Sequence, residues 1–220
     1  MLEKLIHRIV TRLSRLIQER RFGIHSEAEV GLDQFGVTDK GCHHYNGTNY
    51  FRFWQLMRHV KVRKQKDVFL DFGSGMGRVV VLAATYPFRK VIGVELIEEF
   101  HSIAHENVRK AMPRLRCRDI ELCNVDARSY RILPEVTVIY LWNSFGGEVL
   151  ARVFSNIRES LEESPRAMRI LYTTPPDADQ HYVTLNRIKS ELPWLPEPQR
   201  LRLGPELNAA IYSLGEDRLS

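Results

Sequence analysis

Residues 68–78 read Val68-Phe-Leu-Asp71-Phe-Gly73-Ser-Gly75-Met-Gly77-Arg78, and the fold prediction starts from this stretch. An apolar run that leads into three glycines predicts a buried strand, a tight turn and the start of a helix. Glycine suits such a turn because it adopts backbone conformations that other residues avoid, and because it lets the backbone approach a ligand closely. The stretch therefore predicts a ligand-binding turn at one edge of a sheet.

The spacing of the glycines separates this turn from a dinucleotide-binding turn. The dinucleotide pattern Gly-x-Gly-x-x-Gly places its third glycine where this chain has Arg78, and Gly77 stands one residue early. Asp71 precedes the first glycine by two residues, and a carboxylate at that position would repel a pyrophosphate but attract an ammonium group. The turn therefore favours a ligand that carries an ammonium group.

Acidic residues also follow the next two predicted strands. Glu95 ends the strand Lys90–Glu95 and lies 22 residues after Gly73, close to the offset at which an acid binds a ribose diol. Asp126 follows the strand Ile120–Asn124. The carboxyl ends of parallel strands are where open α/β sheets bind ligands. The three acids together predict a site for a nucleoside that carries an amino acid, although Glu95 could also be a surface carboxylate at a strand end.

Strands and helices alternate after residue 67, and this alternation predicts an α/β fold. We expect a Rossmann-like, doubly wound, mostly parallel sheet of about seven strands, closed by a C-terminal antiparallel hairpin around Gly204-Pro205 and preceded by N-terminal helices. Residues 1–60 form a helical extension with a loop, and residues 61–220 form the ligand-binding domain. The predicted helices are 2–18, 50–60, 76–85, 98–111 and 147–161, and the predicted strands are 68–71, 90–95, 120–124, 136–141, 169–173, 199–203 and 209–214.

Composition and charge describe an ordinary globular chain of 220 residues, with 44% hydrophobic and 27% charged residues. The net charge is +5, and residues 1–21 supply +4 of it, so the rest of the chain carries +1 and no general nucleic-acid surface is indicated. The basic run from Arg58 to Lys66 is either a solvated linker or a phosphate-binding patch. Nucleic acid is therefore not the expected partner.

The cysteines and the N-terminal residues indicate in which cellular compartment the protein is expected. Cys42, Cys117 and Cys123 are too few for a disulfide framework or a zinc site, so we expect a reduced cytoplasmic location and no metal. No apolar run reaches the roughly 20 residues that span a bilayer. The apolar positions of residues 2–17 recur at helical spacing and are interrupted by arginines, which predicts an amphipathic helix rather than a secretory signal. That helix packs on the domain, on a second subunit or on an anionic membrane surface.

On these residues the chain resembles the class I S-adenosylmethionine-dependent methyltransferases, over about residues 45–175. The resemblance implies S-adenosylmethionine as the cofactor. It also implies three groups of cofactor-binding residues: those for the methionine part, those for the ribose and those for the adenine. They are, in that order, Asp71, Gly73, Ser74 and Gly75; Glu95 and Leu96; and Asp126 and Ala127.

Two flanking segments resemble the Rossmann-like histone-lysine methyltransferases. These are Tyr45-Asn-Gly-Thr48-Asn-Tyr50 before the glycine strand and Pro87-Phe-Arg-Lys-Val-Ile-Gly93 after it. The resemblance implies that the upstream segment covers the methionine end of the cofactor, which makes Tyr45 and Thr48 cofactor-binding candidates. An ordinary anchoring role in the loop is the alternative for both residues.

The fourth predicted strand runs into Tyr140-Leu-Trp142-Asn143-Ser144-Phe145-Gly146. This segment resembles the Asn-Pro-Pro-Tyr or Asn-Pro-Phe segment that several amine-methylating families place beside the transferred methyl group. The Asn143 side-chain oxygen could accept a hydrogen bond from a target amine, so Asn143 is the catalytic candidate. Ser144 replaces the usual proline, and a structural role for Asn143 as the cap of the next helix is the alternative.

Three functions remain open at this stage. The first is methylation of an amine nitrogen on a protein side chain or a small molecule, and Asn143 supports it. The second is O-methylation of a small metabolite or sugar. The third is a cofactor-binding regulatory subunit without turnover of its own. The acceptor, any general base and the oligomeric state are not predicted.

Overall fold

The structure is a computed structural model that describes residues 2–26, 47–142, 145–174, 188, 190–203 and 208–215, with the backbone alone for residues 2–11. A short 3-10 helix spans Met112–Arg114. The helices are α1 Leu2–Phe22, α2 Tyr50–Met57, α3 Arg78–Ala84, α4 Glu98–Ala111 and α5 Gly147–Glu163. The strands are β1 Val68–Phe72, β2 Lys90–Glu95, β3 Ile120–Asn124, β4 Val136–Trp142, β5 Met168–Thr174, β6 Gln199–Arg202 and β7 Asn208–Leu214.

The strands form one seven-stranded sheet in the order β3-β2-β1-β4-β5-β7-β6. Strands β1 to β5 pair in parallel, whereas β7 lies antiparallel between β5 and β6. The order reverses at β1, which has β2 on one side and β4 on the other. This is the point at which open α/β sheets bind ligands, and the predicted fold class is confirmed.

Two hydrophobic cores cover the two faces of the sheet. All five residues of β1 are buried, as expected for the central strand of a parallel sheet. Side chains alternate along β1, so Phe69 joins the core beneath α2 and α3, and Leu70 joins the core beneath α5. Asp71 therefore points to the same face as Phe69. The acid before the glycines lies on the α2–α3 side of the sheet.

Most predicted boundaries agree with the structure, and the departures have local causes. The predicted bounds of β2, β3 and α4 agree residue for residue. Helix α3 starts at Arg78 rather than Met76 because Gly77 has a left-handed φ of 79°. Helix α2 ends at Met57, since the next amides donate to carbonyls three residues back, His59 N to Leu56 O and Val60 N to Met57 O. The predicted turn of the C-terminal hairpin, at residues 204–207, lies outside the described residues.

Helix α1 packs on the domain through its C-terminal end. It contacts α2 and α4, and it continues to Phe22, which is 1% exposed, four residues beyond the predicted end. Packing on the domain is thus the alternative that the structure supports for this helix. Leu13, Leu16 and Ile17 remain largely exposed on its outer side. Within the described residues, no helix combines the length and hydrophobicity needed to cross a bilayer.

Gly93, in the middle of β2, generates a stability prediction. A methyl group on Gly93 would lie 2.7 Å from Val80 Cγ2 and 3.0 Å from both Leu122 Cδ2 and Ser74 Oγ. We expect Gly93→Ala to lower the free energy of unfolding by about 1–3 kcal/mol, the usual cost of overpacking a core. Urea unfolding followed by circular dichroism measures this change, and a free energy of unfolding equal to that of the wild type would contradict the packing described here.

Candidate cofactor site

The glycine loop between β1 and α3 has the conformation that its sequence predicts. Gly73, Gly75 and Gly77 have positive φ values of 72°, 52° and 79°. The amides of Gly73 and Ser74 both donate to the carbonyl oxygen of Val94, at 2.9 and 3.0 Å, which fastens the loop to β2. A methyl group on Gly77 would lie 3.0 Å from Ala104 Cβ, so this glycine also permits the close approach of α4. The loop needs glycine for backbone conformation and for packing.

Glu95 supports the glycine loop from the end of β2. Its Oε2 accepts a hydrogen bond from Gly75 N at 2.7 Å, and its Oε1 accepts one from Ile97 N at 2.9 Å. Burial raises the pKa of Glu95, and the backbone hydrogen bonds oppose that increase. A carboxylate oxygen has two lone pairs, so the group retains acceptor capacity for the hydroxyls of a diol. The predicted ribose ligand is therefore also a structural part of the loop.

Asp71 is a second buried carboxylate on the same face of the sheet. It is 2% exposed, and it lies opposite Gly93, two residues before Glu95 on the neighbouring strand. Burial, followed by repulsion from Glu95, raises the pKa of Asp71 well above its usual range. No countercharge stands beside these two buried carboxylates among the residues that the structure describes, which is costly, and an ammonium group bound between them would offset that cost.

Ser74 adds a buried polar group that fits a ligand. Its Oγ has no hydrogen-bond partner within the described part of the chain. Buried hydroxyl groups in native proteins are normally hydrogen-bonded, and an exception calls for a bound partner. This hydroxyl, the Asp71 carboxylate and the Glu95 carboxylate fit the amino-acid and ribose parts of S-adenosylmethionine.

The predicted adenine contacts lie in the turn after β3. Val125 N donates to Glu95 O at 3.0 Å, so this turn lies beside the end of β2. Arg128 donates to Asp126 from its backbone N at 2.8 Å and from Nη2 at 2.6 Å, and these bonds hold the pKa of Asp126 below its usual range. Ala127 is buried, whereas Leu96 is 41% exposed. Leu96, directly after Glu95, thus offers an exposed apolar side chain at the end of β2.

Two buried asparagines hold the loops of the site, and the sequence analysis missed both. Asn107 Nδ2, on α4, donates to Met76 O at 2.9 Å and to His25 O at 2.8 Å. Asn156 Nδ2, on α5, donates to Arg128 O at 2.9 Å. An asparagine on the apolar face of an amphipathic helix is the sequence signal that could have identified them, because a buried amide must find partners.

The covering residues predicted upstream are described only in part. Thr48 is 3% exposed, and its Oγ1 lies 3.0 Å from the hydroxyl of Tyr140, the β4 residue that pairs with Asp71. The structure therefore places Thr48 beside the strand partner of Asp71, with its hydroxyl within hydrogen-bond distance of the Tyr140 hydroxyl. Tyr45 and Asn143 lie outside the described residues, so their roles stay predictions.

The sheet order, the glycine loop and the two buried carboxylates at the reversal of the sheet define a class I S-adenosylmethionine-dependent methyltransferase. A family model described as "Histone methylation protein DOT1" matches residues 40–161, more than half of the 220 residues. The chain belongs to this family. The matched range contains the glycine loop, Glu95, Asp126 and the end of β4.

One relative supports this assignment over a short stretch of the chain. A stretch of 52 residues is 42% identical to the histone-lysine N-methyltransferase, H3 lysine-79 specific, of Drosophila melanogaster. It covers 23% of this chain and 3% of that protein, so the chain corresponds to a small part of the relative's length.

Solved structures support the fold. An RNA methyltransferase from Salinibacter ruber, in complex with S-adenosyl-L-homocysteine, superimposes with a TM-score of 0.54 at 18% identity, over 78% of this chain and 95% of that one. A putative S-adenosylmethionine-dependent methyltransferase from Methanococcus maripaludis superimposes with a TM-score of 0.60 at 15% identity, over 78% and 87%. At these identities the likeness concerns the fold alone.

Asp71→Asn should separate stability from cofactor binding. Because the pKa of Asp71 is raised in the folded state, its ionised form destabilises the fold at pH values above its usual range. We expect the ligand-free variant to melt at a higher temperature than the wild type at pH 7. Its affinity for S-adenosylhomocysteine should fall about 10- to 100-fold, since a charge-assisted hydrogen bond contributes about 1.5–3 kcal/mol.

Asp126→Asn is the matched control, because Arg128 lowers the pKa of Asp126 and the ionised form there stabilises the fold. Its melting temperature should fall. Differential scanning fluorimetry and isothermal titration calorimetry measure both quantities. Shifts of the same sign in the two variants would contradict the contrast drawn between the two carboxylates.

Cofactor affinity should depend on pH through the same buried carboxylates. A bound ammonium group favours the ionised form of Asp71, so binding lowers its raised pKa and releases protons. We therefore expect S-adenosylhomocysteine to bind more weakly as the pH falls through that raised pKa. Calorimetry in two buffers of different ionisation enthalpy counts the released protons. Equal proton release by the wild type and Asp71→Asn would exclude Asp71 as their source.

Proposed function

We propose that this protein transfers the methyl group of S-adenosylmethionine to an amine nitrogen of a protein side chain. The family match over residues 40–161 carries this proposal, because it spans the cofactor loop together with the end of β4, where the acceptor would enter. The two buried carboxylates beneath the loop support the cofactor part. The specificity of the Drosophila relative for lysine 79 of histone H3 supports the acceptor part.

The acceptor that follows from this relationship is the ε-amine of a lysine in a protein. The Drosophila relative acts on histone H3, and the stretch shared with this chain is 3% of that protein. Histone H3 is therefore the first acceptor to test. Transfer to the lysine of another protein would agree equally well with the proposal.

The mechanism assigns binding, orientation and exclusion of water to this chain's own residues. S-adenosylmethionine, when bound, supplies a methyl group attached to a positively charged sulfur. A nucleophile that attacks the methyl carbon in line displaces this sulfur as a neutral thioether. Asp71 and Ser74 would hold the amino-acid part, and Glu95 would hold the ribose diol. Alignment of the acceptor and removal of water supply most of the required rate enhancement, so no catalytic triad is needed.

The acceptor side of this mechanism depends on the end of β4. Asn143 would accept a hydrogen bond from the amine and direct its lone pair towards the methyl group. Trp142 and Phe145, which flank Asn143 and are half-buried, would shield the amine from water. Apolar surroundings lower the pKa of an amine and so favour the neutral, nucleophilic form.

The cytoplasm is the proposed location. Cys117 and Cys123 are free thiols in the described part of the chain, and this supports a reducing compartment. The oxidation state of Cys117 and Cys123, measured in cell extracts prepared with a thiol-blocking reagent, would test this location.

A methyl-transfer assay tests the proposed activity. Tritiated S-adenosylmethionine is incubated with the protein and with histone H3, unrelated lysine-rich proteins or small alcohols, and the modified atom is located by mass spectrometry. Glu95→Ala serves as the variant without a cofactor site. Methylation of a lysine nitrogen is expected. Transfer to an oxygen would favour the O-methyltransferase, and tight cofactor binding without transfer to any acceptor would favour a regulatory subunit.

Asn143→Ala tests the assigned catalytic residue. We expect kcat to fall about 100-fold, the loss that misplacement of a reactant by about 1 Å can cause, while KM for S-adenosylmethionine stays unchanged. Ser144→Ala is the matched control, because its hydroxyl has no assigned role, and it should keep wild-type kcat. Turnover by Asn143→Ala at the wild-type rate would leave Asn143 as a helix cap only.

A further inference from the structure

Arg78, the first residue of α3, is a buried guanidinium directly after the glycine loop. It is 6% exposed. Its Nε donates to Ser26 Oγ at 2.8 Å, its Nη2 to Ser26 O at 2.7 Å and its Nη1 to Thr48 O at 3.1 Å. Each nitrogen of the fork therefore has an acceptor. These acceptors belong to two segments that are far from α3 in sequence, here called the covering segments: residues 25–26 and 47–49.

Arg78 also contacts two N-terminal helices. Its Nη2 lies 3.6 Å from Glu19 Oε1 on α1, and Glu19 Oε1 in turn accepts from Ser26 Oγ at 2.9 Å. Its Cζ lies 5.0 Å from the centre of the Tyr50 ring on α2. A methyl group on Gly47 would lie 2.6 Å from Arg78 Cζ, so the chain comes as close to the guanidinium as a glycine allows. One side chain thus holds α1, α2 and both covering segments.

Each covering segment also connects to the cofactor site through one intermediate side chain. His25 exchanges hydrogen bonds with Asn107, whose amide also donates to Met76 O in the glycine loop. Thr48 lies at hydrogen-bond distance from Tyr140, the strand partner of Asp71. Displacement of residues 25–26 would therefore affect the glycine loop, and displacement of residues 47–49 would affect the strand position opposite Asp71.

We propose that Arg78 is a positioning residue that holds α1 and the covering segments against the glycine loop, so that cofactor affinity depends on the N-terminal helix. This inference rests on the proposed function. Arginine is required because its rigid fork reaches three acceptors in fixed directions, whereas lysine has a single nitrogen. Loss of Arg78 would also remove a countercharge from Glu19, whose side chain is 13% exposed.

Binding of S-adenosylhomocysteine to two arginine variants tests this role against a merely structural one. Arg78→Gln should weaken binding about tenfold or more, within the range of energetic coupling between sites. Arg166→Gln is the matched control, because Arg166 also donates from all three nitrogens, to Val136 O, to Ser160 and to Ser164 O, away from the glycine loop. It should lower the melting temperature yet keep the dissociation constant within about twofold.

Hydrogen exchange of the ligand-free proteins provides a second readout that needs no cofactor. The amides of residues 24–26 and 47–50 should exchange faster in Arg78→Gln than in the wild type or Arg166→Gln, and Arg78→Lys should restore protection only in part. Wild-type affinity and wild-type exchange in a folded Arg78→Gln protein would overturn the inference. If the wild type binds no S-adenosylhomocysteine, the proposed function fails, and faster exchange in Arg78→Gln would then confine Arg78 to holding the segments.

Discussion

The buried carboxylate of Asp71, next to that of Glu95, is the constraint on which the site depends. The fold places both groups at the reversal of the sheet and removes them from water, which raises the pKa of each. Glu95 recovers part of the cost through the amides of Gly75, in the glycine loop, and Ile97, after β2. Burial and repulsion from Glu95 both act on Asp71, which therefore favours a bound cation. A cofactor with an ammonium group and a diol matches this distribution of charge.

The surroundings of the two carboxylates follow from the same requirement. Gly93 on β2 leaves room for the side chains of Val80, Leu122 and Ser74. The positive φ values of the loop glycines bring the amide of Gly75 to Glu95. The buried Asn107 and Asn156 then fix the loops on either side. The sheet provides a rigid edge, and the asparagine side chains of α4 and α5 hold the loops at that edge.

Much of the fold could be predicted from the sequence because its signals are local. The strand Lys90–Glu95 and the helix Glu98–Ala111 are defined by runs and periodicities that need no distant partner. The glycine spacing and the acid after each strand similarly located Asp71, Glu95 and Asp126. The end of α1 was misjudged because Phe22 is buried by distant residues. The sequence showed Arg78 only as a departure from the dinucleotide pattern. Its positioning role could not be predicted, because its acceptors lie 30 and 52 residues away in the chain.

The sequence by itself determined the order of strands and helices, the glycine turn and the family to which the chain belongs. Those features depend on residue types at short spacing, which fix backbone conformation and hydrophobic pattern. Only the tertiary structure decided that Glu95 binds the loop, that Thr48 meets Tyr140 and that Arg78 gathers the N-terminal segments. These are contacts between residues distant in sequence. Such contacts form because buried polar groups must find partners, and only the folded chain determines which partners are within reach.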